Sequence, residues 1–258
     1  MPTFAVIIPA AGQGTRFLGD QKPSVTGYAA KKPFVSLRGK PVWLHAAARF
    51  AEIPEVVQII LVVAPEDIEE VRREFAGETA RFHVETVGGG SERFESVENG
   101  LALVQDDVDY VAIHDAARPC VTRRIIDSVF RAAVESGAAI PASPVVGTIK
   151  RAAVSETSGG NAAPIVIDRT ESRERLWEAQ TPQVFRKDLY REAVRRRGGF
   201  TPTDDAGLLE RIGVPVRIVP ADRTNLKITT PLDLTLAEKF LEIQDQENNK
   251  TWDHLRIK

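Results

Sequence analysis

Short runs dense in valine and isoleucine constrain this chain most: Phe4–Pro9, Val56–Ala64, Phe82–Val87, Tyr110–His114 and Ala138–Val145. They are apolar almost throughout, which is expected of strands covered on both faces of a sheet. Between them, Val42–Phe50, Pro65–Phe75, Arg93–Leu103 and Thr122–Glu135 carry helical patterns. Repeated β-α units of this kind predict an α/β, Rossmann-like fold: a mostly parallel sheet with flanking helices and right-handed crossovers. Such sheets bind ligands beyond the carboxyl ends of their strands. The segments that follow each strand are therefore where chemistry is expected.

Two stretches break this rhythm. Leu18–Lys32 is a long polar loop after the first strand, and loops of that length usually carry function. Thr148–Arg173 reads as a protruding β-arm with Ser155 to Asn161 at its tip. Asp204–Ile212 and Pro231–Ile243 predict helices, the second with Thr230 near its cap and Pro231 in its first turn. The polar tail from Gln244 is expected to fray. A length of 258 residues suits one domain over 1–258, with the arm at about 148–173 as a decoration.

Composition excludes several classes of function. A formal net charge of -2 argues against a broad surface for duplex nucleic acid. Cys120 is the only cysteine, so an internal disulfide is impossible and a reducing, cytoplasmic setting is expected. The longest apolar run, Val56–Ala64, is interrupted by Gln58 and falls far short of the ~20 residues that cross a bilayer. The chain enters Phe4-Ala5-Val6-Ile7-Ile8 without a basic lead-in, so no signal peptide is expected.

The chemistry-bearing segments follow the strands. Pro9-Ala10-Ala11-Gly12-Gln13-Gly14-Thr15-Arg16-Phe17 is rich in small residues, which let backbone N–H groups approach phosphate oxygens. Arg16 adds a planar fork of donors matched to phosphate. A dinucleotide fingerprint fails because its third glycine would fall at Phe17, and a Walker A loop fails for want of Gly-Lys-Ser/Thr. A bare β-to-α turn is the plain alternative. Gly88-Gly89-Gly90-Ser91-Glu92-Arg93-Phe94-Glu95-Ser96-Val97 opens a helix, whose free N–H groups suit anions and polar bases; its plain alternative is a glycine turn with Ser91 as N-cap. His114-Asp115-Ala116-Ala117-Arg118-Pro119 ends a strand on the ligand side, where Asp115 is a candidate Mg²⁺ ligand or, more plainly, a cap paired with Arg118. Taken alone, Thr203 and Thr230 read as helix caps. Lys227, read as part of an apolar strand, is harder to dismiss because lysine is rarely buried without a partner. The chain has no His-Glu-x-x-His zinc motif and no Gly-x-Ser-x-Gly elbow.

The combination of Ala-Ala-Gly-x-Gly-x-Arg, Lys32-Pro33, the Gly90–Ser96 box, Asp115-Ala116-Ala117-Arg118-Pro119, Thr181-Pro182-Gln183, Thr203-Asp204-Asp205-Ala206 and Asn225 to Leu234 resembles the 2-C-methyl-D-erythritol 4-phosphate cytidylyltransferase family along nearly the whole chain. The resemblance implies a nucleotidyltransferase that joins CMP from CTP to a polyol phosphate with Mg²⁺ as cofactor. It implies that Arg16, Lys32 and Lys227 stabilise charge on the phosphates. Ala10, Ala11, Gly12, Gly14, Gly90, Ser91, Ser96, Asp115 and Ala116 would hold the nucleotide, with Asp115 also at the metal. Arg118, Thr148, Arg173, Thr181 and Thr203 would hold the acceptor. The arm would embrace a second subunit in a homodimer. The loop before Lys32 is longer than the family's, which leaves Lys31, and the second Lys-Pro at Lys22-Pro23, as alternatives for the lysine. Arg169 is the alternative to Arg173 on the arm. A cytidylyltransferase for ribitol 5-phosphate, and a nucleotide-binding module without catalysis, are the competing readings.

Overall fold

The structure is a computed structural model that describes residues 1–12, 31–153 and 165–256, with the backbone alone over 248–256. Gly14, Arg16, Lys22-Pro23, positions 18–30 of the long loop and the Ser155–Asn161 tip lie outside the described residues. The strands in chain order are β1 (Phe4–Pro9), β2 (Ser36–Leu37), β3 (Lys40–Pro41), β4 (Val56–Val63), β5 (Val84–Gly88), β6 (Tyr110–Ile113), β7 (Ala138–Pro144), β8 (Ile149–Ala152), β9 (Ile167–Glu171), β10 (Trp177–Ala179), β11 (Gln183–Arg186) and β12 (Arg217–Pro220).

The main sheet runs β7-β11-β6-β1-β4-β5, and β10 and β12 also pair with β7. β1 is parallel to β4 and β6, β4 to β5, and β12 to β7. β11 is reversed between β6 and β7, and β10 is antiparallel to β7. The expected mostly parallel sheet is therefore present. The arm is the antiparallel β8–β9 hairpin, and β2–β3 form a second small hairpin.

Both faces of the sheet are covered, which is why its strands lack alternation. Phe4, Val6 and Ile8 of β1 join Trp43 and Phe50 of helix Val42–Ala51 and Ile126 and Phe130 of helix Arg123–Ser136 in one core. Ala5 and Ile7 point the other way, into a core with Val97 and Leu101 of helix Arg93–Ala102 and Tyr190 of helix Lys187–Arg195. Gly100 lets that helix lie close to the sheet, since a Cβ there would stand 2.7 Å from Ile7 Cγ2. Thr122 Oγ1 accepts from Ile125 N to start helix Arg123–Ser136, and Gly137, at φ 84°, ends it.

Several expectations need correction. The strand read from Phe82 begins at Val84, because Phe82 closes a short helix, Ala76–Arg81, and His83 takes φ 52°. The helix read from Pro65 opens with a 3₁₀ turn, Pro65–Asp67, before Ile68–Glu74. Ser91 is not an N-cap: Glu92 holds that position, and Glu95 Oε2 accepts from both Ser91 Oγ and Glu92 N. Thr203 is not a cap either, since Asp204 Oδ1 accepts from Gly207 N. Thr230 does cap, with Oγ1 accepting from Asp233 N. Lys227 lies outside regular structure rather than in a strand. The tail from Gln244 does not fray at once: the last helix runs Pro231–Arg256. Buried Leu241, the Gln244 bond to Cys120 O and the Arg38–Asp245 ion pair anchor its middle turns.

Candidate active site

A cavity of about 190 Å³ opens at the carboxyl ends of β1, β5 and β6. β1 delivers Ala10, Ala11 and Gly12; the turn after β5 delivers Gly90, Ser91 and Arg93; β6 delivers Asp115 and Ala116. Lys32 and Lys227 complete the wall from distant parts of the chain. The first two loops are pinned to the sheet, Ala10 N donating to Val62 O and Gly89 N to Val63 O, both at 2.7 Å. They also touch each other. A Cβ on Gly89 would lie 2.6 Å from both Ala11 Cβ and Ser96 Oγ, so only glycine permits this approach. Ser96 Oγ in turn accepts from Gly90 N at 3.2 Å.

Asp115 is the electrostatic centre of the pocket. It is 7% exposed, its N–H donates to Thr181 Oγ1 at 3.1 Å, and Lys227 Nζ donates to its Oδ2 at 2.6 Å. Arg93 reaches its Oδ1 through Nε at 3.3 Å and Nη2 at 3.2 Å, and Arg118 Nε stands 3.8 Å from Oδ2. Burial alone would raise the carboxyl's pKa, but Arg93, Lys227 and Arg118 outweigh it and hold the group well below the usual carboxylate range. The three cations thus favour the carboxylate form of Asp115.

His114 is wholly buried, and burial pushes its pKa down to about 4. It is neutral, and its neighbours fix the tautomer. Thr181 Oγ1, already accepting from Asp115 N, donates to His114 Nδ1 at 3.2 Å, so Nε2 carries the proton given to Arg118 O at 3.1 Å. Arg118 Nη1 donates to Asn225 O at 2.7 Å, while Asn225 Nδ2 donates to Gln180 Oε1 and Thr181 O, each at 2.9 Å. Ile228 N donates to Ala117 O at 2.8 Å. This network locks the segment that carries Lys227 onto the loop that carries Asp115.

The pocket brings together Ala10, Ala11, Gly12, Lys32, Gly90, Ser91, Ser96, Asp115, Ala116 and Lys227. Of the two adjacent lysines, Lys32 lines it, whereas Lys31 Nζ is held by Asp67 at 2.6 Å and Glu66 at 3.0 Å. Arg118 and Thr181, expected at the acceptor, lie buried behind the wall with their polar groups turned to the network just described. Thr148, Arg173 and Thr203 are exposed and do not line the cavity. Arg173 Nη1 donates to Val146 O, and Arg169 pairs with Asp168 and Glu171. Sequence reasoning passed over Arg93 and Asp205. For Arg93 a signal was legible: an arginine as the first residue of a helix sits at the wrong end of the helix dipole unless an anion holds it.

Among the described residues no three His, Cys, Asp or Glu side chains are placed to hold a metal. Asp115 supplies a hard oxygen donor, yet both its oxygens already face cations. That donor set fits Mg²⁺ in the mode where nucleotide phosphates and waters complete the shell.

An open α/β sheet with a small-residue loop, lysines from two distant segments and a buried carboxylate at its strand ends is the build of a nucleotidyltransferase. The sequence matches the family described as 2-C-methyl-D-erythritol 4-phosphate cytidylyltransferase over residues 4–243, and the chain belongs to that family. An enzyme of that name from Solibacter usitatus is 41% identical over 239 residues, covering 92% of this chain and 95% of its own. One from Syntrophus aciditrophicus is 38% identical over 247 residues, covering 95% and 98%. The crystal structure of a 2-C-methyl-D-erythritol 4-phosphate cytidylyltransferase from Thermus thermophilus superimposes with a TM-score of 0.69 at 31% identity, covering 93% of this chain and 98% of that one.

Proposed function

We propose that this chain transfers CMP from CTP to 2-C-methyl-D-erythritol 4-phosphate, releasing pyrophosphate and committing the product to isoprenoid precursor synthesis. The observation that carries this reading is convergence: family segments as far apart as Ala10 and Lys227 line one cavity. The acceptor's phosphate oxygen attacks the α-phosphorus in line. A new P–O bond forms as the bond to the β-phosphate bridging oxygen breaks, and pyrophosphate leaves with the electron pair. The attacking phosphate monoester is already ionised at neutral pH, so no general base is needed. Such transfers depend on positioning and charge neutralisation.

In this reading Arg16, Lys32 and Lys227 neutralise the charge that builds on the phosphates. Ala10, Ala11, Gly12 and Gly14 face the triphosphate, and Gly90, Ser91 and Ser96 the cytidine. Asp115 would hold Mg²⁺ together with the nucleotide, where the ion adds positive charge to the phosphates. Arg118 and Thr181 act from behind by holding the Asp115 and Lys227 segments. Thr203 and Thr148 face the acceptor from the open side, together with Arg173 of a second copy. Support for such a homodimer is the apolar surface on the arm, where Ile165 is 87%, Val166 51% and Ile167 64% exposed. Among the described residues no helix is long and apolar enough to cross a membrane, and we assign the chain to the cytoplasm, where CTP resides.

The test is pyrophosphate release from Mg²⁺ and CTP with methylerythritol 4-phosphate or ribitol 5-phosphate as acceptor. Release with the erythritol phosphate alone is expected. Release with ribitol phosphate alone overturns the acceptor, and CTP binding with release from neither acceptor overturns the transferase reading.

A further inference from the structure

A row of alternating charges runs from the core to the pocket. Tyr190 OH donates to Asp205 Oδ1 at 2.7 Å, and Asp205 Oδ2 accepts from Arg93 Nη1 at 2.7 Å. The remaining edge of the same guanidinium faces Asp115 Oδ1, and Lys227 Nζ closes the row on Asp115 Oδ2 at 2.6 Å. Tyr190 and Asp205 are each 1% exposed, so water does not substitute for either. Arg93 is thus gripped from behind by a carboxylate that has no other cation within ion-pair distance among the described residues.

Within this row of described residues, the two carboxylates Asp115 and Asp205 face three cations, Arg93, Arg118 and Lys227. Lys227 is 40% and Arg93 34% exposed at the side chain, and both line the cavity, but only Arg93 is also held by a second carboxylate. Once Lys227 turns to a substrate phosphate, Arg93 still holds Asp115 Oδ1 in place through Nε and Nη2. A guanidinium suits this post because its planar fork presents Nη1 to Asp205 and the Nε–Nη2 edge to Asp115 in one fixed geometry.

We propose, resting on the transferase reading above, that Arg93 is a positioning residue: anchored by Asp205, it fixes Asp115 and so releases Lys227 to the substrate phosphates. The row also ties the helix that carries the nucleotide-side box to Asp205 in the Thr203–Ala206 segment.

The test is a double-mutant cycle of Arg93→Gln and Asp205→Asn, followed by kcat and KM from pyrophosphate release, CTP affinity by calorimetry in Mg²⁺, and thermal midpoint. Arg93→Gln is expected to lower kcat about tenfold or more, Asp205→Asn about fivefold, and the pair no more than Arg93→Gln alone, because coupled residues are non-additive. KM for the acceptor stays near the wild-type value, and Arg93→Lys restores little. Additive losses, full rescue by lysine, or wild-type kcat in Arg93→Gln overturns the proposal. Should Asp205→Asn not fold, Tyr190→Phe replaces it, and its smaller loss must likewise vanish in the Arg93→Gln background. Should the wild-type protein release no pyrophosphate, the transferase reading falls by itself. The same cycle is then read in CTP affinity, where non-additivity sustains the role of Arg93 and additivity removes it.

Discussion

Asp115, just past β6, and Arg169, on β9 of the arm, are both charged residues engaged in ion pairs, yet their settings are opposite. Asp115 is 7% exposed and meets three cations from three segments. Arg169 meets Asp168 and Glu171, its own neighbours in the hairpin, with its side chain 56% exposed. In the pocket, positions are imposed by the sheet and by partners more than sixty residues away in sequence, as with Asp115 and Thr181. On the arm they follow from local pairing alone, and apolar side chains are left facing outward. The difference teaches that the described pocket residues are held by partners within one chain, whereas the arm leaves Ile165, Val166 and Ile167 exposed.

Tests of that contrast run from strong to weak. Replacing Arg16 or Lys32 with alanine should lower pyrophosphate release about 10²–10³-fold while the melting temperature stays in place; unchanged turnover would remove the residue from the phosphate site. Gly100→Ala should overpack the helix against Ile7 and destabilise the fold by about 1–3 kcal/mol, measured by urea denaturation, and a neutral result would mean that the close helix–sheet approach is not needed. Acid should also weaken the pocket side. The folded-state pKa of His114 is pushed down to about 4, below the ordinary value of about 6.5, so the stability tied to its neutral form is complete above 6.5 and is lost as pH falls toward 4. Denaturation of wild type and His114→Gln across that window should show the shallower slope in the variant; equal slopes would place the acid sensitivity elsewhere. On the arm, Arg173→Ala should raise KM for the acceptor about tenfold, the size of one charge-assisted contact, and leave CTP affinity unchanged; a joint loss of CTP affinity would erase the distinction between pocket and arm. Smallest of all, Arg169→Ala should leave the melting temperature unmoved, since exposed pairs contribute little, and a clear drop would mean that the arm is more tightly built than its exposure indicates.

How far the molecule was legible varies by region for physical reasons. β1, β4, β6 and β7 were readable because strands buried on both faces must be apolar throughout. The helix Ala76–Arg81 was not, because none of its residues is buried and it leaves no periodic stripe. Gly90, Ser91, Asp115 and Lys227 were legible as members of spaced boxes, while their convergence is a property of the sheet order. Arg118 and Thr181 were legible as polar residues in the right boxes, but nothing local says that a polar side chain will turn inward. That Lys31 pairs with Glu66 and Asp67 was not legible, because those partners lie more than thirty residues downstream.

The reversed strand β11 and the closing contact of Lys227 with Asp115 also set a schedule for biosynthesis. During translation β1, β4, β5 and β6 emerge first and can pair in order, since domains generally fold as units from the N-terminal side. β11, which sits between β6 and β7, is made after both, so β7 must wait for its neighbour. Lys227 arrives 112 residues after the carboxylate that it meets. A ribosome-bound chain stopped short of Lys227 therefore holds the glycine loops and a buried acid without its last cation. The wall of the cavity closes only near the end of synthesis, after the scaffold is already in place.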